Sequence, residues 1–286
     1  MGQVVSFINM KGGVGKTTLA VNVAYGLAYA HKKKVLIVDC DPQFNATQYL
    51  LEDDAYLDHI NDSRRGTLRD IFVPKRPGHV STVAGSSKQV NKAKMSLSAC
   101  TCNIYGPGSG RGRLDLLPST LALMDIETSK RLTEAKLKNY LADKAEGYDF
   151  VIIDCPPTIS IFTQAAILAS DKYLVPIKPD PLSVIGLPLL ERALADYSED
   201  AGIEIDSVGF VFTLVRGPLP ARMREVMAEL RETRGEKVFT DYMSQSTDVA
   251  KSVEAHKPIF LFNPSCKASG QALRITEEFL NRTAGA

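Results

Sequence analysis

Lys11-Gly12-Gly13-Val14-Gly15-Lys16-Thr17-Thr18 decides the fold, because it joins a strand-like run, Val4–Ile8, to a helical pattern over Thr17–Ala30. Glycines let the backbone wrap phosphate oxygens, and the N-terminus of the following helix offers unpaired N–H groups with a partial positive charge. In this context Lys16 is placed to reach terminal phosphates, and Thr17 is placed to ligate Mg²⁺. The stretch therefore predicts a P-loop that binds a nucleotide. Its phosphate-binding residues are predicted to be Lys11, Gly12, Gly13, Val14, Gly15, Lys16, Thr17 and Thr18.

Two further strand-like runs end in acidic residues. Val35–Val38 is followed by Asp39 and Asp41, and Phe150–Ile153 is followed by Asp154. Ligands of open α/β sheets bind outside the carboxyl ends of the strands, where a carboxylate can hold Mg²⁺ as a Walker B acid does. An isolated Asp after a strand is more often a helix cap. The pairing with a P-loop favours a metal site here.

Short apolar runs alternate with helical patterns along the 286 residues. This alternation predicts an α/β fold with a doubly wound, mostly parallel sheet flanked by helices. We expect a single P-loop domain over residues 1–286. The strands are predicted at Val4–Ile8, Val35–Val38, Leu114–Leu117, Phe150–Ile153, Tyr173–Ile177 and Val208–Leu214.

One segment, Val73–Arg113, departs from this rhythm because it is rich in Gly, Ser, Lys and Pro. We expect residues 73–113 to be a surface insertion, partly mobile. Helices are predicted over Thr158–Ala169, Pro220–Arg234 and Pro264–Leu280, from apolar residues at helical spacing and from helix-start signals.

The overall composition limits the function classes. A formal net charge of +1 predicts neither a strongly basic nucleic-acid binder nor an acidic-tail protein. Five cysteines without a CxxC pair argue against a disulfide framework and for a reduced compartment. The sequence contains no apolar run long enough for a membrane span and no leader-like N-terminal segment. We expect a cytoplasmic protein without a stable membrane anchor.

The motifs resemble the ParA/MinD family of deviant Walker A ATPases, and among these the ParA-type partitioning ATPases most. The resemblance covers most of the chain and implies ATP and Mg²⁺ as cofactors. Four motifs stand in the family's order: the P-loop stretch, Asp39-Cys40-Asp41-Pro42-Gln43-Phe44-Asn45-Ala46-Thr47, Asp154-Cys155-Pro156-Pro157, and Lys257-Pro258-Ile259.

The resemblance also implies roles for single residues. Lys11 matches the family's lysine that reaches across a homodimer, formed on ATP binding, to the phosphates of the partner's ATP. Asp41 matches the carboxylate that positions the attacking water. The implied activity is hydrolysis of ATP and water to ADP and phosphate. The implied catalytic residues are Lys11, Lys16 and Asp41, and the implied metal residues are Thr17, Asp39 and Asp154.

The leading hypothesis from the resemblance is an ATPase whose ATP-bound dimer binds DNA nonspecifically and associates with the nucleoid. A ParB-like or cargo-adaptor protein would stimulate hydrolysis, and the cycle would partition or position plasmid, chromosome or protein cargo. Nonspecific DNA affinity needs several basic side chains on one surface. The candidates are Arg222, Arg224, Arg231, Arg234, Lys237, Lys251, Lys257 and Lys267. Acidic residues interleave with them and favour a solvated helix face instead; they are Glu225, Glu229, Glu232 and Glu236.

Two other functions remain open from the sequence. A MinD-like positioning ATPase would act on a protein or membrane matrix without DNA, and Gln245 and Ser246 occupy a turn where many DNA-partitioning relatives carry basic residues. An iron-sulfur carrier would need paired cysteines, but the spacing of Cys100 and Cys102 is poor for a cluster.

The adenine position follows from the resemblance alone. In the family, adenine lies between the segment after a late strand, which ends here near Thr213, and an Ile-Pro turn. This chain has Met243-Ser244 where that turn aligns.

Overall fold

The structure, a computed structural model, describes residues 2–73, 95–106, 112–126 and 134–284. Within these ranges seven strands form one sheet. They are β1 (Gln3–Phe7), β2 (Lys34–Asp39), β3 (Cys102–Tyr105), β4 (Arg113–Leu117), β5 (Phe150–Asp154), β6 (Lys172–Ile177) and β7 (Asp206–Phe212).

Helices connect and cover the strands. In the described ranges none of them is both long and apolar enough to cross a bilayer. The α-helices are α1 (Lys16–Tyr29), α2 (Asn45–Leu50), α3 (Asp53–Asn61), α4 (Leu68–Phe72), α5 (Leu97–Cys100), α6 (Glu134–Lys144), α7 (Ile161–Ala169), α8 (Pro181–Ala201), α9 (Ala221–Arg234), α10 (Thr247–Glu254), α11 (Ile259–Phe262) and α12 (Lys267–Ala284). Short 3-10 turns cover Leu121–Ile126 and Gly235–Lys237.

The strand order is β3-β4-β2-β5-β1-β6-β7, and every neighbouring pair is parallel except β3 with β4. β1 and β2 both pair with β5, so that Phe7 and Asp39 each lie opposite Asp154. The carboxyl ends of three central strands therefore meet at one edge of the sheet. This arrangement confirms the predicted doubly wound, mostly parallel sheet.

Side chains of the central strands alternate between two buried cores, as the period of two in a strand requires. Val4 packs into the core covered mainly by α6, α7 and α8, whereas Val5 packs into the core covered mainly by α1 and α12. β5 is buried along its whole length, as a strand covered on both faces should be. All six predicted strands are confirmed, with no end displaced by more than two residues.

The first and the last helix, α1 and α12, pack against each other at Gly26. An ideal Cβ built on Gly26 would lie 2.6 Å from the Oγ1 and 3.0 Å from the Cγ2 of Thr276. Thr276 is fully buried, and its hydroxyl donates to the carbonyl of Ala272 at 2.8 Å. The missing side chain at Gly26 thus permits the close approach of the two helices.

The segment expected to be a surface insertion differs from that expectation in its described part. Residues 102–105 form β3, an edge strand paired with β4, and Cys100 is fully buried. Because the edge of β4 is thereby covered, this part belongs to the sheet. Residues 74–94 and 107–111 lie outside the described residues, and there the surface insertion stays a prediction.

Candidate nucleotide-binding site

The P-loop turns from β1 into α1 through two left-handed glycines. Gly13 has φ 68° and Gly15 has φ 76°, a conformation that side chains with a Cβ rarely adopt. Gly15 immediately precedes α1, which begins at Lys16. The loop therefore directs the free N–H groups of the helix N-terminus into the cleft, as phosphate binding requires.

Hydrogen bonds from neighbouring strand ends fix this loop. The side-chain amide of Asn9 donates to the carbonyl of Pro176 at 2.7 Å, and its oxygen accepts from the Lys11 N–H at 2.8 Å. The hydroxyl of Thr213, just after β7, donates to the carbonyl of Val14. The P-loop is thus held by the ends of β6 and β7 as well as by its own chain.

Lys16 and Thr17 meet Asp154 inside the cleft. The Thr17 hydroxyl donates to Asp154 Oδ2 at 2.6 Å, and Lys16 Nζ lies 3.5 Å from Asp154 Oδ1. Burial is the largest single effect and lowers the pKa of Lys16, but the nearby charges, above all that of Asp154, together outweigh it and raise that pKa above its ordinary value. Lys16 therefore stays protonated and available to phosphate oxygens.

Asp39 is a fully buried carboxylate beside Asp154. Its Oδ2 accepts from the N–H and the hydroxyl of Thr47, both at 2.7 Å, and its Oδ1 accepts from the Asp41 N–H at 3.2 Å. Burial and the neighbouring Asp154 raise the pKa of Asp39 to about 7, although the bonds from Thr47 oppose this shift. Two acids on adjoining strand ends thus create a position that favours a cation or a proton.

This acid pair is not a preformed metal cage. Within the described residues, no three His, Cys, Asp or Glu side chains converge on one point. Mg²⁺ needs no such cage, because it keeps several waters and binds one or two carboxylates together with substrate phosphates. The oxygen donors of Thr17, Asp39 and Asp154 fit that chemistry.

Asp41 lies on the wall of the cleft. It is 3% exposed, its Oδ1 accepts from the Gln43 N–H at 2.9 Å, and its carbonyl accepts from the Ser119 hydroxyl at 2.8 Å. These bonds fix the turn after β2 and aim the carboxylate at the P-loop. Asp41 is thus held where it faces whatever the P-loop binds.

The cleft has a volume of about 320 Å³ and brings the sequence-predicted phosphate residues together with Asp41. Five further residues from α2, α10 and the turn after β5 line it: Asn45, Gln48, Tyr49, Pro157 and Val253. Sequence analysis named Asn45 and Pro157 only as parts of family motifs, without a role, and it missed the other three.

A buried hydrogen-bond network lies behind this cleft. The Tyr49 hydroxyl accepts from the Asn22 amide at 3.1 Å and bonds to the Ser252 hydroxyl at 3.0 Å. The Asn22 oxygen in turn accepts from the Ile259 N–H at 2.9 Å. The network joins α1, α2, α10 and α11, so that the wall of the cleft and the helix carrying Lys251 are held in one position.

Lys11 lies apart from the Lys16 group, on the rim of the cleft. Its Nζ donates to both carboxylate oxygens of Asp180, at 2.8 and 2.9 Å, and to the Ser183 hydroxyl at 3.1 Å. Asp180 also accepts from the Ser183 N–H and so caps α8. The sequence shows the start of this helix in Asp180-Pro181, but nothing in it indicates a contact with Lys11.

The two segments expected around adenine are adjacent in the structure. The Val215 N–H donates to the Met243 carbonyl at 3.2 Å, and the Gln245 N–H donates to the Val215 carbonyl at 2.9 Å. A second cleft of about 440 Å³ opens there, lined among others by Ser244 and Tyr242. The chain thus offers a cleft where the resemblance expects the base.

The candidate DNA-contacting residues divide into paired and unpaired groups. Arg234 pairs with Glu191 at 2.6 Å, and Arg222 pairs with Glu225 at 3.1 Å. Six exposed candidates make no ion pair with the described residues: Arg224, Arg231, Lys237, Lys251, Lys257 and Lys267. Glu225 on α9 and Glu191 on α8 therefore neutralise part of α9, and the unpaired positive charge extends from α9 to α10 and α12.

Comparison with known proteins defines the class. Residues 2–205, more than half of the chain, match the AAA domain family, so the chain belongs to that family. Chromosome-partitioning ATPase Soj of Treponema pallidum is 27% identical over 282 residues, covering 99% of this chain and 98% of Soj. Chromosome partitioning protein ParA of Caulobacter vibrioides is 28% identical over 287 residues, covering 98% of this chain and 94% of ParA. These near full-length matches confirm the resemblance to ParA-type partitioning ATPases.

The fold has a counterpart among solved structures. Cobyrinic acid a,c-diamide synthase from Mycobacterium smegmatis, solved with ADP and magnesium, matches with a TM-score of 0.73 at 21% identity. The match covers 100% of this chain and 96% of that one. At this identity the likeness extends to the fold alone.

Proposed function

We propose that this chain is a ParA-like ATPase that binds Mg-ATP, dimerises around it and hydrolyses it to position a cargo. The observation that carries the proposal is the convergence of Lys16, Thr17 and Asp154 at a helix N-terminus that two left-handed glycines direct into a cleft. Lys16 can bind the phosphate oxygens of a nucleoside triphosphate, and Thr17 and Asp154 can bind its Mg²⁺.

For hydrolysis, each residue has a separate task. Lys16 and the helix N-terminus would hold phosphate oxygens and offset their charge. Thr17, Asp39 and Asp154 would hold Mg²⁺, which would supply further positive charge against the phosphates. Asp41, held by Gln43 and facing the P-loop, orients the attacking water. The reaction is water plus ATP giving ADP and phosphate.

An exposed apolar stripe on α8 supports dimerisation. Leu182, Ile185 and Leu189 lie on one face of the helix and are 74%, 67% and 64% exposed. A groove of about 290 Å³ separates this stripe from Lys11. Exposed apolar groups of this size mark interaction surfaces, and here the surface lies across a groove from the lysine that reaches a partner's phosphates in the family.

Nonspecific DNA binding is supported by the unpaired basic residues. Lys251 is on α10, which also supplies Val253 to the nucleotide cleft and Ser252 to the buried network. A change in the cleft would therefore move a basic surface, which makes nucleotide-dependent DNA binding physically reasonable. Release of DNA would follow hydrolysis stimulated by a ParB-like or cargo-adaptor protein, in the cytoplasm and at the nucleoid.

The test is co-sedimentation with nonspecific double-stranded DNA in ATP, ADP or no nucleotide, at low and moderate salt. We expect ATP-dependent binding that weakens with salt, and none for Lys16→Ala, which loses the phosphate contact. Lys251→Ala should reduce by about one the steepness with which the logarithm of the DNA-binding constant falls against the logarithm of the salt concentration, since each phosphate contact contributes about 0.9. The matched control is Lys34→Ala, an exposed lysine at the opposite end of the sheet.

The pairing of Arg222 and Arg234 with glutamates favours one alternative, a MinD-like ATPase that acts on a protein or membrane matrix. If ATP drives dimerisation but no DNA sediments at either salt, this alternative replaces DNA binding. If Lys16→Ala binds ATP as the unmodified protein does, the nucleotide site itself is wrongly assigned.

A further inference from the structure

The ion pair of Lys11 with Asp180 joins the P-loop to the first turn of α8. Both carboxylate oxygens accept from the same ammonium group, at 2.8 and 2.9 Å, and the Ser183 hydroxyl adds a third acceptor at 3.1 Å. All three donor sites of the ammonium are therefore filled within one protomer. Lys11 cannot reach phosphates in another protomer without giving up these bonds.

The carboxylate is held in place independently of the lysine. Asp180 caps α8 by accepting from the Ser183 N–H at 3.0 Å, so its position is set by the helix start. Burial alone would raise the pKa of Asp180, but hydrogen bonds from Lys11 and Ser183 lower it below its ordinary value. At neutral pH the acceptor is thus charged and in position before any nucleotide arrives.

The strength of the pair is modest. The side chains of Lys11 and Asp180 are 39% and 25% exposed, and partly exposed ion pairs change equilibria by only about two- to fivefold. A triphosphate carries several negative charges where Asp180 carries one. Phosphates can therefore displace Asp180, whereas in their absence Asp180 retains the lysine.

We propose that Asp180, with Ser183, is a positioning residue that retains Lys11 within its own protomer until nucleotide phosphates compete for the ammonium group. This inference rests on the proposed function, because it concerns the lysine that would cross the dimer. As a consequence, dimerisation requires the Lys11 ammonium group of each protomer to exchange its bonds to Asp180 for bonds to phosphate. Removal of the carboxylate therefore favours the ATP-bound dimer.

The variant that tests this is Asp180→Asn. The amide oxygen of Asn still caps α8, so the helix is kept while the negative charge is lost. The matched control is Asp241→Asn, since Asp241 pairs with Arg274 at 2.7 Å and its side chain is 23% exposed, close to the value for Asp180. Both variants change the net charge equally.

The first measurement is made without nucleotide. The rate of acetylation of Lys11 by an N-hydroxysuccinimide ester is followed by peptide mass spectrometry. Asp180→Asn should raise this rate several-fold, because an amine freed from its carboxylate is more accessible to the reagent. Asp241→Asn should leave it unchanged. An unchanged rate in Asp180→Asn overturns the proposal.

The second measurement is the dimerisation constant with Mg-ATP, by analytical ultracentrifugation. One pair is broken in each protomer, so Asp180→Asn should tighten the dimer by about 4- to 25-fold, the square of the effect of one pair. In the Lys11→Ala background this gain should vanish. Weaker dimerisation, or equality with Asp241→Asn, overturns the proposal. A protein that never dimerises with ATP refutes the proposed function instead, and the acetylation rate still decides whether Asp180 retains Lys11.

Discussion

Replacing Gly26 by Ala tests whether the close packing of α1 on α12 sets the position of the P-loop helix. Two opposing effects act on the free energy of unfolding. Ala is a better helix former than Gly by about 1 kcal/mol. The new methyl group, however, would lie 2.6 Å from Oγ1 and 3.0 Å from Cγ2 of Thr276.

The steric effect should be the larger one. Carbon atoms pack best at about 3.5–4.0 Å, so both contacts are too short. Thr276 cannot easily turn away, because β-branched side chains are stiff in helices and its hydroxyl already bonds to Ala272. Overpacking typically costs about 1–3 kcal/mol. Because Thr276 is stiff and fully buried, we expect a cost in the upper half of that range, which the better helix propensity of Ala offsets by about 1 kcal/mol. We expect Gly26→Ala to destabilise the protein by about 1–2 kcal/mol.

The assay is urea unfolding followed by circular dichroism, in a double-mutant cycle with Thr276→Ala. That second change removes Oγ1 and Cγ2, so the pair should be coupled by about 1–2 kcal/mol. The control is Gly186→Ala in α8, where an added Cβ meets no atom within 4 Å. It should stabilise the protein by up to about 1 kcal/mol.

The packing argument is refuted if Gly26→Ala is as stable as the unmodified protein or gains stability as Gly186→Ala does. Additivity with Thr276→Ala would also refute it, because the two side chains would then not meet. Either result would mean that α12 can shift without disturbing the helix that carries Lys16.

Three further substitutions address the site. Tyr49→Phe should cost about 1–2 kcal/mol in urea unfolding, because two buried hydrogen bonds are lost while Asn22 and Ser252 keep other partners; an unchanged midpoint would contradict the network. Thr17→Val should remove the Mg²⁺ dependence of ATP affinity, measured by calorimetry with and without EDTA, and retained dependence would contradict the metal assignment. Ile185→Asp should abolish the ATP-dependent dimer in size-exclusion chromatography while ATP affinity stays unchanged, and a persisting dimer would exclude the stripe from the interface.

The fold and the phosphate site could be predicted from the sequence because their determinants are local. The P-loop glycines, Lys16 and Thr17 lie within six consecutive residues, and Asp39 and Asp154 end apolar runs whose strands are parallel neighbours. Once the strands are recognised, the common edge of a parallel sheet brings these groups together.

The remaining features depend on contacts between distant segments. Asp180 lies 169 residues from Lys11 along the chain, and Ser252 lies 203 residues from Tyr49. No periodicity or spacing indicates such pairs. β3 was missed for another reason, since a four-residue edge strand inside a Gly- and Ser-rich stretch has little apolar pattern of its own.

The central place of β1 in the sheet has a consequence for synthesis on the ribosome. β1 is made first, but its neighbours β5 and β6 lie more than 140 residues later in the chain. At about 5–20 residues per second, roughly 7–30 s pass before either neighbour emerges. During that interval an apolar strand lacks both partners, which exposes it to aggregation. We therefore expect nascent chains of this protein to bind chaperones until β6 has left the exit tunnel, and to acquire nucleotide affinity only afterwards.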